Sequence, residues 1–318
     1  MSENNEAVGR RDFRTSIGGQ ALIEGIMMRG PSKQAVVVRT ADGLVTKVEE
    51  IKLLSKKYPV LGWFLVRGVV NFINSMTIGV RALMFSADQM PEEEQEEPTR
   101  FEAWIERKFG SEKAEKALIS FAVFLGIAFS VGLFILLPTF LAGFLTNVID
   151  NQILRNLAEG VLRITIFVTY LWLTSRLGEI KRVWAYHGAE HKAIACYEQG
   201  LPLTVENVRQ QPKQHPRCGT SFLFIVMIVS ILVFSFTTWD NLWMRIALRL
   251  LLLPVVVSIS YEIIKLAGRY DNLFTRIISA PGKALQRLTT SEPDDEMMEV
   301  AIEAITLVIP EDDKEAAW

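Results

Sequence analysis

All three histidines of this chain lie in one short stretch of sequence, at His187, His191 and His215. The first two enclose His-Gly-Ala-Glu-His, which fits the H-x-x-E-H pattern of reversed zinc-protease motifs. On a helix, His187 and His191 lie one turn apart on one face and can bind one metal ion. Glu190 lies beside them and can take a proton from a water molecule. The spacing therefore predicts a metal site in which Glu190 is the general base.

A site of this kind needs a third protein ligand. The segment His-Pro-Arg-Cys over residues 215–218 offers both His215 and Cys218, and the sequence leaves the choice between them open. Either side chain suits Zn²⁺, and the thiolate of Cys218 disfavours Mg²⁺. Cys196 would lie about 140° around the same helix from His191, so we interpret it as an ordinary packed thiol.

Other interpretations of the histidines stay open at this point. Two histidines one turn apart at a membrane surface can simply bond lipid head groups or backbone carbonyls. A bound metal ion can also be structural rather than catalytic. A closed site with four protein ligands, in which both His215 and Cys218 take part, would favour the structural role.

The composition indicates a membrane protein with soluble parts. Half of the 318 residues are apolar, and the mean hydropathy is +0.23. The 34 Lys and Arg nearly balance the 36 Asp and Glu, so the overall charge predicts no nucleic-acid partner. With two cysteines and no low-complexity tract, the sequence does not fit the disulfide-rich, fibrous or disordered classes.

Four apolar segments are long enough to cross a bilayer as helices, which takes about 20 residues each. They are residues 117–149, 157–175, 218–239 and 243–265. Basic residues collect in 100–116, 176–217 and 265–287, whereas the connections 150–158 and 239–244 hold only Arg155. The positive-inside rule then predicts that both termini and the loop 176–217 are cytoplasmic, in a prokaryotic inner membrane.

Three arginines fall at the opposite ends of these spans and need partners there. They are Arg163, Arg245 and Arg249. The acidic residues near enough in sequence to pair with them are Glu159, Asp150 and Asp240.

The N-terminal part predicts a small cytoplasmic α+β piece over 16–57, after a disordered terminus over 1–15. Residues 35–50 form a hairpin in this prediction, with Asp42 and Gly43 in the turn. Ahead of the hairpin, glycines punctuate an apolar stretch and allow turns or close backbone approach. These glycines are Gly18, Gly19, Gly25 and Gly30.

A helix predicted over 58–90 carries a single polar stripe on an apolar surface. The stripe consists of Arg67, Asn71, Asn74 and Arg81. An interfacial helix in the membrane plane, or a helix packed beside the spans, explains this pattern best, and a fifth span is the alternative. An acidic linker and a surface helix then follow over 91–116. The apolar stripe of that surface helix is Phe101, Trp104, Ile105 and Phe109.

A cytoplasmic tail over 268–318 is predicted to dock one short helix against the rest of the protein. Thr290 or Ser291 is the expected cap of this helix, and Pro310 is expected to end it. Its buried face would consist of Met297, Val300, Ala301, Ala304 and Ile305.

Four segments together resemble the YqhQ-like family, a bacterial domain of unknown function described as a predicted metal-dependent integral membrane protein. The segments are GGQALIEGIMMRGP at 18–31, YHGAEHKAIACYE at 186–198, HPRCGTSFL at 215–223 and LTTSEPDDEMMEVAI at 288–302. The resemblance spans about residues 16 to 305. It implies that the first and last segments belong to one cytoplasmic assembly with the histidines. By resemblance alone, it adds Glu24, Arg29, Glu292 and Asp294 as second-tier site candidates.

The predicted fold is mainly α: a polytopic helical membrane domain of about four spans over 117–267, with the α+β piece and the C-terminal amphipathic helix. The leading functional hypothesis is a zinc-dependent hydrolase at the cytoplasmic bilayer surface. Its substrate would be a lipid head group, a lipid-linked intermediate or a membrane peptide. A non-catalytic scaffold with a structural metal and a transporter are the alternatives. Membrane lipids are expected partners, and a homo-oligomer is allowed.

Overall fold

The computed structural model describes residues 14–51, 58–91, 111–144, 149, 151–215, 218–236, 241–270 and 272–316. The predicted stripe from Phe101 to Phe109 and most of the predicted disordered terminus lie outside them. The chain divides into two compact units. Unit 1 consists of Met1–Gln89, Tyr170–Ser230 and Leu252–Trp318, and unit 2 of Met90–Thr169 and Ile231–Leu251.

Unit 1 contains a four-stranded antiparallel sheet in the order β1-β2-β3-β4. The strands are β1 Gly18–Leu22, β2 Gly25–Arg29, β3 Lys33–Thr40 and β4 Gly43–Glu50. The predicted hairpin is confirmed as β3 and β4, and Gly43 at its turn has φ +127°. An L side chain rarely adopts this conformation, so a glycine is needed there.

The hairpin of β1 and β2 was missing from the prediction, which interpreted the glycines only as turns or close contacts. Close approach is confirmed at Gly19, where a Cβ atom would lie 2.6 Å from the carbonyl oxygen of Met27 on the neighbouring strand. Four glycines in a short segment lower its strand propensity. The segment becomes a hairpin because β2 lies buried in the middle of the sheet, beside β3.

The helices of the chain, in order, have the following bounds. They are α1 Val66–Ala87, α2 Ser111–Val131, α3 Leu137–Phe144, α4 Gln152–Thr174, α5 Gly178–Glu198, α6 Val205–Arg209, α7 Gly219–Ser235, α8 Leu242–Arg269, α9 Leu273–Thr289, α10 Asp295–Thr306 and α11 Asp313–Ala316. A short 3-10 turn, Pro59–Gly62, precedes α1, and a π-helical turn, Gly132–Leu136, joins α2 to α3.

Four helical stretches of the described chain are long and apolar enough to cross a membrane. They are Val66–Ala87, Ala117–Phe144, Ile153–Thr174 and Trp243–Arg269. Three of them correspond to predicted spans. The predicted span over 218–239 contains α7, a helix of 17 residues, and residues 237–240 lie outside the described part. Helix α1 is long and apolar enough to cross a membrane, whereas α7 is shorter. A span within 58–90 is therefore as consistent with the structure as an interfacial helix.

Half of the predicted polar stripe on α1 packs against α8 within unit 1. The guanidinium of Arg67 donates to the carboxylate of Glu262 at 2.6 Å, and the amide of Asn71 donates to the hydroxyl of Tyr261 at 2.9 Å. Arg81, by contrast, is exposed. The stripe therefore serves helix packing at its N-terminal end, as the prediction of a helix beside the spans allowed.

The tail forms three helices rather than one: α9, α10 and the four-residue α11. The predicted cap of α10 was wrong: Asp294 caps it, because its extended backbone lets the carboxylate accept from the amide of Met297 at 2.9 Å. Ser291 instead continues an extended segment and donates its amide to the carbonyl of Trp184. The predicted buried face of α10 is confirmed, and the helix ends at Thr306, before Pro310.

Unit 2 encloses a buried charged cluster between α3, α4 and α8. Arg249 donates two hydrogen bonds to Glu159, one of them 2.6 Å long, and Arg163 donates to the same carboxylate at 3.2 Å. The hydroxyl of Thr139 also contacts Glu159, at 3.1 Å. Side-chain exposures of 2%, 4% and 6% for Arg249, Glu159 and Arg163 show that water does not solvate these charges. The predicted pairing of Glu159 is confirmed for Arg163 and Arg249, two of the three arginines.

We expect Glu159→Gln to destabilise the protein strongly, because it leaves two buried guanidinium groups without a counter-charge. Breaking a buried ion pair costs about 3–5 kcal/mol. Thermal unfolding in detergent checks this, with the exposed Glu179→Gln as the control. Equal melting temperatures for the two variants would contradict a stabilising role for the cluster.

Candidate metal centre

Helix α5 carries both histidines and Glu190, and it is buried along most of its length. Every residue from Ala185 to Ile194 is buried. The helix packs against β1, β2, α6 and α10, and it is followed by Gly200 in the left-handed conformation, with φ +68°. Because the whole circumference is covered, each ionisable side chain on this helix must find a partner inside the protein.

His187, His191 and Cys218 come together in unit 1. The Nε2 atom of His187 lies 3.1 Å from the Sγ atom of Cys218, and the two imidazole centroids are 4.3 Å apart. One donor atom from each of the three residues lies within 4.8 Å of the other two. Zinc binds imidazole nitrogen at about 2.0 Å and thiolate sulfur at about 2.3 Å, so donor atoms at these separations can share one ion.

Backbone carbonyls orient both imidazoles. The Nδ1 atom of His187 lies 2.8 Å from the carbonyl oxygen of Thr289, and that of His191 lies 2.7 Å from the carbonyl oxygen of Lys213. A carbonyl only accepts, so Nδ1 carries the proton in each ring, and Nε2 presents its lone pair in the neutral form. Metal-binding histidines are commonly held in this way.

The loop that delivers Cys218 is held by the side chain of Gln286 in α9. The backbone amide of His215 donates to Gln286 at 2.8 Å, and the Gln286 amide donates back to the carbonyl of His215 at 2.7 Å. Gln286 is fully buried and also donates to the hydroxyl of Ser221 at 3.1 Å. Sequence reasoning missed Gln286, Thr289 and Lys213. Only Thr289 lies in a segment that the family resemblance had marked.

His215 itself lies next to the group of three but not in it. Its Nε2 atom lies 3.5 Å from the carboxylate of Glu198, and its ring centroid is 5.7 Å from that of His191. Of the two predicted candidates for the third ligand, the structure thus brings Cys218 to the other two. Cys196 points to the carbonyl oxygen of Pro202, at 3.5 Å, as expected for a packed thiol.

His187 and Cys218 shift each other's pKa. Burial alone raises the pKa of a thiol, yet the pKa of Cys218 lies well below its ordinary value, because the imidazoles of His187 and His191 stabilise the thiolate. Burial opposes the charged form of His187 too. The thiolate, with Glu190 and the Thr289 carbonyl, nevertheless raises its pKa to about 9.

Glu190 is buried, with 4% of its surface exposed. Burial raises its pKa, although the two neighbouring imidazoles and a hydrogen bond from the backbone of Gly19 act in the opposite direction. Its Oε2 atom has no hydrogen-bond partner within the described part of the chain. A Cβ atom at Gly19 would lie 3.0 Å from the Glu190 carboxyl carbon, so the glycine leaves room for this side chain.

A cavity of about 730 Å³ opens in front of the candidate metal centre. His187, Glu190, His191 and Cys218 line it together with Arg29 at the end of β2. All of its lining residues belong to unit 1. The cavity therefore gives a ligand access to the three donor atoms and to the carboxylate.

The other three candidates suggested by resemblance hold the surrounding elements and do not line the cavity. Glu24 accepts two hydrogen bonds from Arg182 and one from the hydroxyl of Tyr186. Glu292 pairs with the buried ammonium of Lys192 at 2.6 Å, and Asp294 caps α10. These contacts give the three acids structural roles around α5.

A family model described as a protein of unknown function (DUF1385) matches residues 63–311, and the chain belongs to this family. A relative, the uncharacterized protein YqhQ of Bacillus subtilis (strain 168), is 35% identical over 294 residues. The alignment covers 90% of each chain. No solved structure matches this chain. The resemblance inferred from the four segments is thereby confirmed.

We expect Gly188→Ala to disturb the centre. A Cβ atom at Gly188 would lie 2.2 Å from the carbonyl oxygen of Ser291, so the segment that brings Thr289 to His187 would have to move. Overpacking of this kind costs about 1–3 kcal/mol. Gly178→Ala is the control, because nothing lies within 4 Å of its Cβ position. Thermal unfolding should separate the two variants, and equal stabilities would contradict the close approach.

The two cysteines should differ in their pH dependence when the protein is free of metal. The thiolate of Cys218 is present well below the ordinary thiol pKa, so its alkylation should be nearly as fast at pH 7 as at pH 9. Burial raises the pKa of Cys196 to about 11, so its alkylation should be slow and should accelerate as the pH rises. Mass spectrometry of iodoacetamide-labelled peptides measures both. Equal rates at pH 7 would contradict this assignment.

Proposed function

We propose that this protein is a membrane-bound, metal-dependent hydrolase that acts at the cytoplasmic surface of a prokaryotic inner membrane. One observation carries the proposal. Three donor atoms of His187, His191 and Cys218 share a cavity with Glu190, whose buried Oε2 atom has no partner within the described chain. A structural metal site would need only the donors, whereas a hydrolase also needs the base.

The donor set fits zinc. Two imidazole nitrogens and a thiolate are ligands that Zn²⁺ prefers over the oxygen ligands typical of Mg²⁺ and Ca²⁺. With His215 engaged by Glu198 instead, three protein ligands leave a fourth position open, as in catalytic zinc sites. An ion bound there would act as a Lewis acid and activate a water molecule.

Glu190 is the proposed general base. Its raised pKa brings the carboxylate nearer to neutral pH, where a group can both accept and return a proton. It would take the proton of the attacking water and pass it to the leaving group. The carbonyls of Thr289 and Lys213 would keep the imidazoles oriented throughout this transfer.

Metal content of detergent-purified protein, measured by mass spectrometry, tests the proposal. We expect about one zinc ion per wild-type chain, its loss in His187→Ala, and its retention in Glu190→Gln. His215→Ala is the matched control, because it removes the remaining histidine of the chain without removing a proposed ligand. A wild-type protein without metal, purified without chelator and after zinc supplementation, would overturn the metal-dependent function.

The 3.1 Å contact between His187 and Cys218 favours one second candidate, a metal-independent thiol hydrolase. In that reaction the Sγ atom of Cys218 attacks a substrate carbonyl and forms a thioester, while His187 gives a proton to the leaving group. Water, deprotonated by His187, then hydrolyses the thioester, and the Thr289 carbonyl keeps the imidazole oriented. Such an enzyme would survive chelation and be inactivated by alkylation of Cys218.

The scaffold and the transporter remain alternatives, and no feature of the described residues favours either of them over the hydrolase. The scaffold is best served by a closed four-ligand site, and His215 lies outside the donor group. A transporter needs ionisable groups that change state. The cluster of Glu159, Arg163 and Arg249 instead pairs a carboxylate with guanidinium groups, which do not deprotonate in proteins.

A further inference from the structure

Arg29 lines the same cavity as the candidate metal centre, and within the described part of the chain no carboxylate pairs with it. Its position is set by the sheet, where it lies opposite Gly18 of β1 and Gln34 of β3. Burial lowers the pKa of its guanidinium, so the charged group is partly withdrawn from water. A guanidinium in this state is stabilised by an anion that enters the cavity.

A second donor lies in the wall of the same cavity. Trp184 of α5 lines the cavity, and its indole Nε1 atom is buried without a hydrogen-bond partner in the described residues. A buried N–H group without a partner is unfavourable unless a ligand accepts from it. A ligand that reached this indole would thus find a cation, Arg29, and a neutral donor, Trp184, in the wall of one cavity.

Two apolar helices form another wall of the cavity. Ser75 and Ile78 of α1 line the cavity, and so does Leu223 of α7. Helix α1 is long and apolar enough to cross a membrane, and α7 is a shorter apolar helix. A ligand that touches both walls needs an acceptor-rich anionic end and an apolar end.

The outer surface of α9 also indicates that this unit contacts lipid. Leu273, Phe274 and Ile277 are at least 62% exposed, while the polar residues Thr275 and Gln286 are buried. An apolar face turned outward, with the polar face inside, is typical of a helix at a membrane interface. The same Gln286 holds His215 beside the cavity.

We propose that this cavity binds a phosphate-bearing lipid, with the phosphate on Arg29 and Trp184 and the acyl chain along α1 and α7. The geometry of a guanidinium suits phosphate, since its N–H groups can donate two parallel hydrogen bonds to phosphate oxygens. The inference rests on the proposed hydrolase function and names its substrate class. The ester bond next to the phosphate would then lie toward the donor atoms and Glu190.

Lipid binding to the delipidated, full-length protein in neutral detergent tests this inference by native mass spectrometry. The probes are phosphatidylglycerol, diacylglycerol, which has the same acyl chains but no phosphate, and inorganic phosphate as a competitor. The wild type should prefer phosphatidylglycerol, and Arg29→Gln should weaken its binding by about tenfold or more. Arg29→Lys should retain part of the affinity, and Trp184→Phe should lose a few-fold. Arg81→Gln is the control, because Arg81 is an exposed arginine on α1 outside the cavity.

Several results would overturn the inference. Equal binding of the two lipids, an unchanged affinity in Arg29→Gln, or the same loss in Arg81→Gln would each show that Arg29 does not recognise the phosphate. Displacement of the lipid by inorganic phosphate at similar concentration would make the ligand a soluble anion. If Arg29→Gln does not fold, the lipid preference of the wild type and the effect of Trp184→Phe still test the inference.

Metal content of the same samples separates this inference from the proposed function. Zinc in every variant without a preference for phosphatidylglycerol overturns the lipid inference alone. A clear preference for phosphatidylglycerol in a wild type that binds no metal overturns the hydrolase alone.

Discussion

A helix that is buried from Ala185 to Ile194 cannot carry two imidazoles, a carboxylate and an ammonium group unless the fold supplies a partner for each. Much of unit 1 follows from this requirement. The carbonyls of Thr289 and Lys213 serve the imidazoles, and Glu292 with the carbonyl of Arg209 serves Lys192. Two connections, the one that follows α6 and the one that follows α9, are therefore held by α5 rather than lying freely on the surface. Of these four ionisable groups, only the carboxylate of Glu190, a residue that lines the cavity, keeps a buried oxygen without a hydrogen-bond partner in the described residues.

Small residues make this arrangement sterically feasible. Gly188 lets the segment after α9 approach the helix backbone, Gly19 leaves room for the Glu190 side chain, and Ala189 and Ala193 are fully buried. Larger side chains at these positions would increase the distance between helix and partners, and the carbonyl contacts to the imidazoles would be lost. A hydrogen bond needs its two heavy atoms within about 3 Å of each other. The buried polar groups of this unit can therefore be paired only if small residues let the backbone segments approach closely.

How far the sequence could predict the structure depended on how local each signal was. The spacing of His187 and His191 is a local signal, and it correctly predicted that the two imidazoles lie side by side on one helix. The turn at Gly43 is local too, and it was predicted correctly. The choice between His215 and Cys218 was not local, because it depends on Glu198 and Gln286, which approach the loop only in the folded chain. The hairpin of β1 and β2 was missed for a similar reason, since its glycine-rich sequence becomes strand only when β2 is buried. Gln286 carried no signal at all, because a glutamine in an amphipathic helix is ordinary until its partner is known.

Because the orientation of His187 depends on Thr289, the site around His187 can be completed only late in biosynthesis. Both histidines are synthesised about a hundred residues before the carbonyl that orients the first of them. Until residue 289 has left the ribosome and α9 has docked, the imidazole of His187 has no acceptor for its Nδ1 proton, and Gln286 cannot hold the loop before Cys218. The apolar helices up to α8 can therefore enter the bilayer first, and the arrangement around α5 is completed as one of the last steps. A nascent chain arrested between α8 and α9 would have its apolar helices in place and His187 without the carbonyl that orients it.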